Sequence, residues 1–326
     1  MNSMPTVSVL VPIYGVERFI EKCVRSLFEQ TFEDIEYIFV NDCTPDNSID
    51  ILKKTLEEYP IRKQNTKIIN HRINKGIAVA RNTCLKYATG KYTLFVDSDD
   101  WLELTMIEFM YNKALEDNSD IVGCDYFINT NDNEIYVKEK YPENKKKLIA
   151  AAISQSFFVV LWKLLIKKTL YEKYHIYFDE ELRVGEDSVV CFKLAFYSDK
   201  ISYINQAFYH YNQENSNHLA QKSLENISLW TQAIIKIENL CKEYGIENTY
   251  QHHLNLRKFV IKQALIFDPK LRNLKLWHSL FPESSNIWRT TQMPISYKII
   301  YSLLGLHLDY IVHLLFKCQS LIKKIR

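Results

Sequence analysis

The sequence predicts an α/β protein in which a mostly parallel, doubly wound sheet is followed by a helical region. Over about the first hundred residues, short apolar runs typical of buried strands alternate with segments whose apolar residues recur at helical spacing. Several runs end in polar turns, and this edge of an open α/β sheet is where ligands bind. Glycine and proline are scarce, at 7 and 8 of 326 residues, so long disordered segments are not expected.

The elements follow in a regular order. A proline closes the first strand, Val7–Pro12, and a helical pattern covers Phe19–Leu27 before a second strand at residues 35–40. A helix, a strand, a helix and a fourth strand are expected next, at residues 49–59, 67–70, 78–88 and 92–96. Strands that alternate with helices lie parallel and are joined by right-handed crossovers.

The pattern changes after residue 101. We expect a helix at residues 104–116, a strand at 121–126 and an exposed polar loop or hairpin at 129–147. A helix at 189–197 and a strand at 201–204 follow, and the segment 209–212 closes the first domain. From residue 222 onward the pattern is helical and basic, with 15 Lys and Arg against 7 Asp and Glu. We therefore expect a first domain at residues 1–220 and a helical, basic region at residues 221–326.

Composition limits the location and the partners. The seven cysteines are odd in number and scattered without a C-x-x-C pair, which argues against a zinc site or disulfide framework and indicates a reducing compartment. We expect no signal peptide, because residues 1–6 lead straight into a strand, and no apolar run reaches the roughly 18 residues of a spanning helix. A cytoplasmic protein is expected, at most lying on a membrane, with no nucleic-acid partner.

The most informative segment is the end of the fourth strand, where Asp97, Asp99 and Asp100 follow an apolar run. Carboxylates this close repel one another unless a cation lies among them. Oxygen-only ligands favour Mg²⁺ or Mn²⁺, which usually bind together with phosphate. The cluster therefore predicts a metal and diphosphate site, and a capped turn before a helix is the alternative. An EF-hand loop is excluded, because Trp101 and Leu102 occupy positions that need an oxygen ligand and a glycine.

Other candidate ligand contacts follow the first three strands. Asp42 could accept the imide N–H of a uracil, and Tyr14 offers a face for stacking. Lys75 lies in a turn before a helix, and Arg81 at the start of that helix could contact a diphosphate. The alternatives are structural: Asp42 organises its turn, Tyr14 packs, and Arg81 forms a surface salt bridge.

A second pair of acids, Glu186 and Asp187, opens a predicted helix. Acids are favoured at helix starts by the helix dipole and by capping, which would make this pair purely structural. A carboxylate that faces the ligand crevice could instead take the proton from an attacking hydroxyl. The sequence leaves both interpretations open.

Together these segments resemble the ordered motifs of the family 2 glycosyltransferases with the GT-A fold, over roughly residues 5–220. The segments that carry the resemblance are Val7–Tyr14, which includes Pro12, then Ile38–Ser48, Asn74–Asn82, Val96–Asp100 and Gly185–Asp187. It implies an inverting transferase that uses a nucleotide-diphosphate sugar, most often a UDP-sugar, with Mn²⁺ or Mg²⁺.

The resemblance also implies roles for individual residues. Asp42 matches the base-binding acid, Asp97-Ser98-Asp99 the D-x-D motif, and Asp187, next to Glu186, the general base. Asp100 is an alternative direct metal ligand. The chain departs from the family pattern at Gly15, where asparagine is usual, and at Asn41-Asp42-Cys43, where Asp-Asp-Gly is commoner.

A looser resemblance concerns the acceptor. Trp162-Lys163 and Tyr209-His210-Tyr211 with Ser216 are similar to a subgroup that builds bacterial capsule, lipopolysaccharide or exopolysaccharide. This implies a glycan or a polyprenyl-diphosphate-linked acceptor, with Trp162 and Lys163 as acceptor contacts.

Two other functions remain alternatives. A sugar nucleotidyltransferase would share the sheet and the metal acids, but it normally has a glycine-rich loop where this chain has Pro12-Ile13-Tyr14-Gly15. A non-catalytic module that binds nucleotide sugars would lack a metal acid or the base, and both are present.

The tail has an amphipathic pattern. From Tyr297 to Arg326 apolar residues fit one broad helical stripe, opposite a row formed by His313, Lys317, Ser320 and Lys324. Such a helix suits the surface of an anionic membrane, where a lipid-linked acceptor would be found. The alternative is that the stripe packs in a core and that Gly305 splits it into two helices.

Overall fold

A computed structural model of the protein describes residues 5–155, 160–214 and 223–325, with side chains up to residue 318. The chain forms two compact units, residues 1–219 and 220–326. Ser216 and the expected boundary near residue 220 lie outside the described residues, as do Ser320, Lys324 and the other side chains at the end of the predicted tail helix.

In the described part of the first unit, nine strands form one sheet. They are β1 (Val7–Ile13), β2 (Ile35–Asn41), β3 (Thr66–Asn70), β4 (Tyr92–Phe95), β5 (Trp101–Leu102), β6 (Ile121–Asn129), β7 (Glu134–Val137), β8 (Leu164–Lys167) and β9 (Ile201–Asn212). The strand order is β3-β2-β1-β4-β8-β6-β9-β5, and β7 pairs with β6. The first four strands are parallel, β8 runs antiparallel to both neighbours, and β6 and β9 are again parallel. The predicted mostly parallel α/β fold is confirmed.

Helices cover both faces of this sheet. They are α1 (Ile20–Phe28), α2 (Ser48–Leu56), α3 (Pro60–Gln64), α4 (Ile77–Tyr87), α5 (Met106–Asp117), α6 (Lys145–Ser154), α7 (Lys168–Lys173) and α8 (Glu186–Tyr197). Successive residues of β1 point to opposite faces, so Val9 packs in one apolar cluster with α1, α2 and α5, and Leu10 packs in a second cluster with α4, α6 and α8. Burial on both faces explains why β1 and β2 are almost uninterrupted apolar runs.

The hairpin expected in the polar stretch at residues 129–147 is present as the β6–β7 pair, and the start of α6 also lies within that stretch. The strand predicted at 201–204 is longer than expected: it continues through residues 209–212 as β9, whose pairing with β6 shifts register on either side of Asp125. These bulges keep one strand continuous although its alternation of apolar and polar residues is broken.

The sheet is curled because its edge strand β5 is tied to the central strand β4 by a short connection. Residues 96–100 are all that separates β4 from β5, yet β8, β6 and β9 lie between these two strands in the sheet. Neighbouring strands lie about 4.8 Å apart, so four flat spacings would need about 19 Å. The connection is itself a tight turn, in which the Asp100 N–H donates to the Asp97 carbonyl at 3.1 Å. The far edge of the sheet therefore bends back to the carboxyl end of β4.

The second unit is helical in its described residues. Its helices are α9 (Leu224–Glu243), α10 (Glu247–Lys262), α11 (Ala264–Phe267), α12 (Leu274–Ser279), α13 (Ile295–Gly305) and α14 (Asp309–Ile325), with 3₁₀ turns at Pro282–Ser284 and Ile287–Thr290. No helix in the described ranges is both long enough and apolar enough to cross a membrane.

The tail is not one continuous helix. Gly305 ends α13, and α14 begins at Asp309, so the split considered as an alternative is what the structure shows. Leu304 and Val312 are buried in the core of the second unit, and Ile300 packs against that core. Part of the predicted stripe is therefore core, because apolar side chains on two short helices can close on each other.

We predict that Gly90→Ala destabilises the first unit by about 1–3 kcal/mol through overpacking. The Gly90 N–H donates to Ser8 Oγ at 2.8 Å, and an added Cβ would lie 2.6 Å from that oxygen and 2.7 Å from the Ser8 nitrogen. Gly305→Ala is the control, because nothing lies within 4 Å of its added Cβ. Chemical denaturation of both variants tests this, and equal unfolding midpoints would contradict it.

Candidate active site

The turn after β1 is fixed by the turn after β2. Gly15, at φ +69°, donates its N–H to Thr44 Oγ1 at 2.8 Å, and the Glu17 N–H donates to Asp46 Oδ2 at 2.9 Å. Pro12 is buried inside β1, whereas half of Tyr14 is exposed at the carboxyl edge of the sheet. The two loops thus form one rigid rim from which the Tyr14 ring faces solvent.

Asp42 organises a neighbouring loop. Its buried carboxylate accepts backbone N–H groups from Lys75 at 2.9 Å and Gly76 at 2.7 Å, and His71 Nδ1 lies 2.7 Å away. Gly76, at φ +89°, then opens α4. The Asp42 side chain therefore organises the β3–α4 loop and not its own turn, which was the structural alternative. The Lys75 side chain is exposed in the loop after β3, at the same carboxyl edge of the sheet as Tyr14.

Arg81 is buried and joins two acids. Its Nη1 donates to Glu186 Oε1 at 2.6 Å, and its Nη2 donates to Asp97 Oδ1 at 3.0 Å. The structural alternative, a salt bridge, is present, but it is buried and not at the surface, because the side chain is 8% exposed. Both terminal nitrogens are directed at carboxylates, and the contact with a diphosphate stays a prediction. A buried charge is stable only with such partners.

The turn from Asp97 to Asp100 separates its acids into two kinds. Asp97 and Asp99 are partly exposed, whereas Ser98 and Asp100 are buried. Asp100 Oδ2 accepts the Tyr209 hydroxyl at 2.6 Å, and its Oδ1 accepts the Asn212 N–H at 2.7 Å. Burial, followed by the charges of Asp99 and Asp97, raises the pKa of Asp100 well above its usual value.

A divalent cation fits the outward half of this turn. In the described ranges, no three His, Cys, Asp or Glu side chains are grouped so that they alone could hold a metal ion. Asp97 and Asp99 nevertheless offer oxygen ligands at a solvent-facing strand end, and Mg²⁺ in phosphate sites is commonly held by one or two carboxylates plus the phosphates. The alternative that Asp100 binds the metal directly is not supported, because both its oxygens already accept protein hydrogen bonds.

Glu186 and Asp187 have different surroundings at the start of α8. Gly185, at φ +79°, turns the chain, and Asp187 is partly exposed with its Oδ1 accepting the Ser188 N–H at 2.7 Å. Glu186 is buried against Arg81. Burial and the Asp187 charge raise the pKa of Glu186 to about 7 and outweigh Arg81, which lowers it. Glu186 is therefore placed to position Arg81, whereas Asp187 keeps part of its side chain exposed to solvent.

The expected acceptor contacts lie inside the protein. Trp162 is buried and stacks on Tyr209, with ring centroids 4.3 Å apart. Lys163 is buried and forms an ion pair with Glu139, while its Nζ lies 5.3 Å from the Tyr126 ring centroid. In this arrangement neither side chain presents a surface to a ligand, so the structure does not support the predicted acceptor role of either.

Tyr209 and Asn212 also belong to the site, although the sequence motifs gave them no role beside the acids at the end of β4. The sequence marks them only as part of an aromatic strand, and their partners lie more than a hundred residues earlier. The signal that could have found them is electrostatic: three neighbouring acids with no nearby base in the sequence need neutral hydrogen-bond donors from elsewhere.

We predict a pH dependence of stability that belongs to Glu186. Its pKa is higher in the folded than in the unfolded chain, so its stabilising contribution is complete below about pH 4.5 and is lost as the pH rises to about 7, by on the order of 3 kcal/mol. Glutamine does not titrate. Glu186→Gln should therefore gain stability relative to wild type between pH 4.5 and 7 in denaturant titrations.

The control for this experiment is Glu33→Gln, which changes an exposed carboxylate. Parallel stability curves for wild type and Glu186→Gln across this range would show that Glu186 carries no such shift.

Comparison with known proteins gives relatives along most of the chain. It is 33% identical over 265 residues to the uncharacterized glycosyltransferase EpsJ of Bacillus subtilis, covering 78% of this chain and 74% of EpsJ. It is 32% identical over 210 residues to the poly(ribitol-phosphate) beta-glucosyltransferase of Bacillus spizizenii, covering 63% of this chain and 32% of that protein.

Solved structures show the same fold. S. aureus TarS 1–349 in complex with UDP-GlcNAc has a TM-score of 0.67 and 22% identity, covering 86% of this chain and 81% of TarS. The Pyrobaculum calidifontis mannosyltransferase PcManGT, solved with GDP-Man and Mn²⁺, has a TM-score of 0.55 and 16% identity, covering 98% and 85%. The GT-A fold implied by the sequence resemblance is confirmed.

The family itself follows from the sequence. The profile of the family described as Glycosyl transferase family 2 matches residues 8–175, which is more than half of the chain and includes the turns after β1, β2, β3 and β4. The EpsJ match extends this similarity over most of the chain. The chain therefore belongs to glycosyl transferase family 2.

Proposed function

We propose that this glycosyltransferase is inverting and moves a sugar from a nucleotide-diphosphate donor, a UDP-sugar, to a hydroxyl of its acceptor. The observation that carries the proposal is the ion-pair bridge from Asp97 through Arg81 to Glu186. It ties the acids at the end of β4 to Asp187, so a donor diphosphate and an acceptor base would share one crevice.

The donor would lie along the carboxyl ends of β1, β2 and β4. Half-exposed Tyr14 offers a stacking face for the base, and Asp42 holds the loop whose exposed Lys75 can approach the phosphates. Pro12 and Ser98 are buried and would lie beneath the donor. The UDP-GlcNAc complex of TarS supports a UDP-sugar as donor.

Asp97 and Asp99 would hold Mn²⁺ or Mg²⁺. When bound, such an ion neutralises charge on the leaving diphosphate. The Mn²⁺ complex of PcManGT supports this cofactor class. The protein's own part is to direct two partly exposed carboxylates outward and to keep Asp100 turned inward.

Asp187 would act as the general base. It would take the proton of the acceptor hydroxyl while that oxygen bonds to C1 of the sugar and the bond from C1 to the diphosphate breaks on the opposite face. Configuration at C1 is then inverted in one displacement. Glu186 would orient Arg81 and would not touch the substrate.

The acceptor would be a glycan or a polyprenyl-diphosphate-linked sugar of bacterial polysaccharide biosynthesis, at the cytoplasmic face of the cell membrane. The activity named for the Bacillus spizizenii relative supports a cell-surface glycan. In α14, Tyr310 and Leu314 are 70% and 58% exposed on the face that also carries His313 and Lys317. This exposed face supports peripheral contact with an anionic membrane.

We predict that Asp187→Asn lowers the rate of UDP release from a UDP-sugar by roughly 10²-fold or more, because the proton acceptor is lost while its shape is kept. Binding of UDP and Mn²⁺ should survive. Turnover with a panel of UDP-sugars, with and without EDTA, measures this.

The matched control is Asp179→Asn, a partly exposed aspartate that also accepts a backbone N–H, from Glu181 at 3.1 Å. Full turnover of Asp187→Asn would place the base elsewhere. Release of pyrophosphate by the wild type would indicate a sugar nucleotidyltransferase, and donor binding without turnover would indicate a non-catalytic binding module.

We predict that the purified protein sediments with anionic vesicles at low salt and not with neutral vesicles. The double variant Tyr310→Glu and Leu314→Glu should lose this sedimentation, because it places acids on the exposed face of α14. Ile61→Glu, at a 78% exposed position of the first unit, is the control. Failure of the intact protein to sediment with anionic vesicles would remove the membrane from the proposal.

A further inference from the structure

The end of β9 holds the aspartate turn at four points. The Tyr209 hydroxyl donates to Asp100 Oδ2 at 2.6 Å and accepts the Asp97 N–H at 3.2 Å. Asn212 donates its backbone N–H to Asp100 Oδ1 at 2.7 Å and its side-chain Nδ2 to the Asp99 carbonyl at 3.1 Å. Two residues of one strand thus contact all three acids of the turn.

These contacts from β9 stabilise the conformation of the turn at residues 97–100 more than interactions within the turn do. A turn of three acids is opposed by charge repulsion, and the hydrogen bond from Asp100 to Asp97 is a single internal constraint. Of these four hydrogen bonds, two reach the Asp100 side chain and two reach backbone atoms of Asp97 and Asp99. They leave the Asp97 and Asp99 carboxylates to other partners and fix the direction in which these carboxylates point.

The Tyr209 ring is itself fixed by aromatic packing on the side away from the turn. Its fully buried ring stacks on Trp162 at 4.3 Å with an interplanar angle of 23°, and Trp162 packs edge-on against Tyr126 on β6. The hydroxyl is therefore preorganised, since the ring cannot turn away without breaking this packing.

We propose that Tyr209 and Asn212 are positioning residues of the transfer reaction, which orient Asp97 and Asp99 for the divalent cation and the donor diphosphate. This inference rests on the proposed function. It predicts that loss of either contact weakens metal-dependent binding of the nucleotide and leaves its metal-independent part unchanged. Residues that orient metal ligands typically contribute about 10- to 100-fold in metal affinity or activity.

The test is Tyr209→Phe, which removes one hydroxyl and keeps the stacked ring. UDP binding is measured by calorimetry with and without Mn²⁺, and Mn²⁺ binding in the presence of UDP is measured by electron paramagnetic resonance. We expect Mn²⁺ to bind about 10-fold or more weakly, with UDP affinity in EDTA unchanged. The Mn²⁺ concentration for half-maximal turnover should rise more than the saturated rate falls.

Tyr37→Phe is the matched control, because Tyr37 is also fully buried and its hydroxyl donates to the Leu27 carbonyl at 2.9 Å, away from the turn. It should lose comparable stability and keep wild-type Mn²⁺ affinity. Asp99→Ala is the reference for loss of a metal ligand. Unchanged Mn²⁺ affinity in folded Tyr209→Phe overturns the inference.

Asn212→Ala provides a second, independent variant, since it removes the donation to the Asp99 carbonyl and the acceptor of the Glu214 N–H and keeps the backbone N–H that binds Asp100. If Tyr209→Phe does not fold, Asn212→Ala decides by the same criterion. Failure of the proposed function looks different: wild type would then show no Mn²⁺-dependent gain in UDP affinity, whatever the variants do.

Discussion

The arrangement of the acids depends on the two ion pairs of the buried Arg81 guanidinium. It spans Asp97 at the end of β4 and Glu186 at the start of α8, which are far apart in sequence. A planar fork of donors can serve two carboxylates at once, whereas a lysine ammonium is a point charge. Because removing one member of a buried ion pair leaves an uncompensated charge, the three side chains act as one unit. The strand-end turn and the start of the helix are thereby held at a fixed separation.

One cation cannot neutralise the negative charge of five neighbouring acids. The protein lowers this repulsion by burying two of the acids and leaving three partly exposed. The acids that support others are buried and have raised pKa values: Asp100 among neutral donors and Glu186 beside Arg81. The acids that the proposed chemistry needs, Asp97, Asp99 and Asp187, stay partly exposed. Negative charge is therefore concentrated at the crevice surface, where a cation and an acceptor hydroxyl can use it.

The sequence was informative where structure is local. Alternating strands and helices predicted the parallel sheet, and the apolar run before Asp97 predicted an acidic turn at a strand end, because periodicity and strand ends are local properties. The partners of buried polar groups were not predictable in this way. Lys163 and Arg81 were assigned to ligands, but both bind acids, Glu139 and the Asp97–Glu186 pair. Trp162 was assigned to the acceptor because nothing local indicates that β9 lies over it.

The connection between β4 and β5 also limits where residues can be inserted into this chain. Surface loops usually tolerate added residues, since lengthening them costs little entropy. Residues 96–100 are different, because they close a curled sheet across three intervening strands and their backbone is bonded to β9. One inserted residue would rotate the acids relative to Tyr209 even if every acid were retained. At this point of the chain, the spacing between two strands is as much a part of the site as the carboxylates, and diversity in substrate must arise in loops that do not close the sheet.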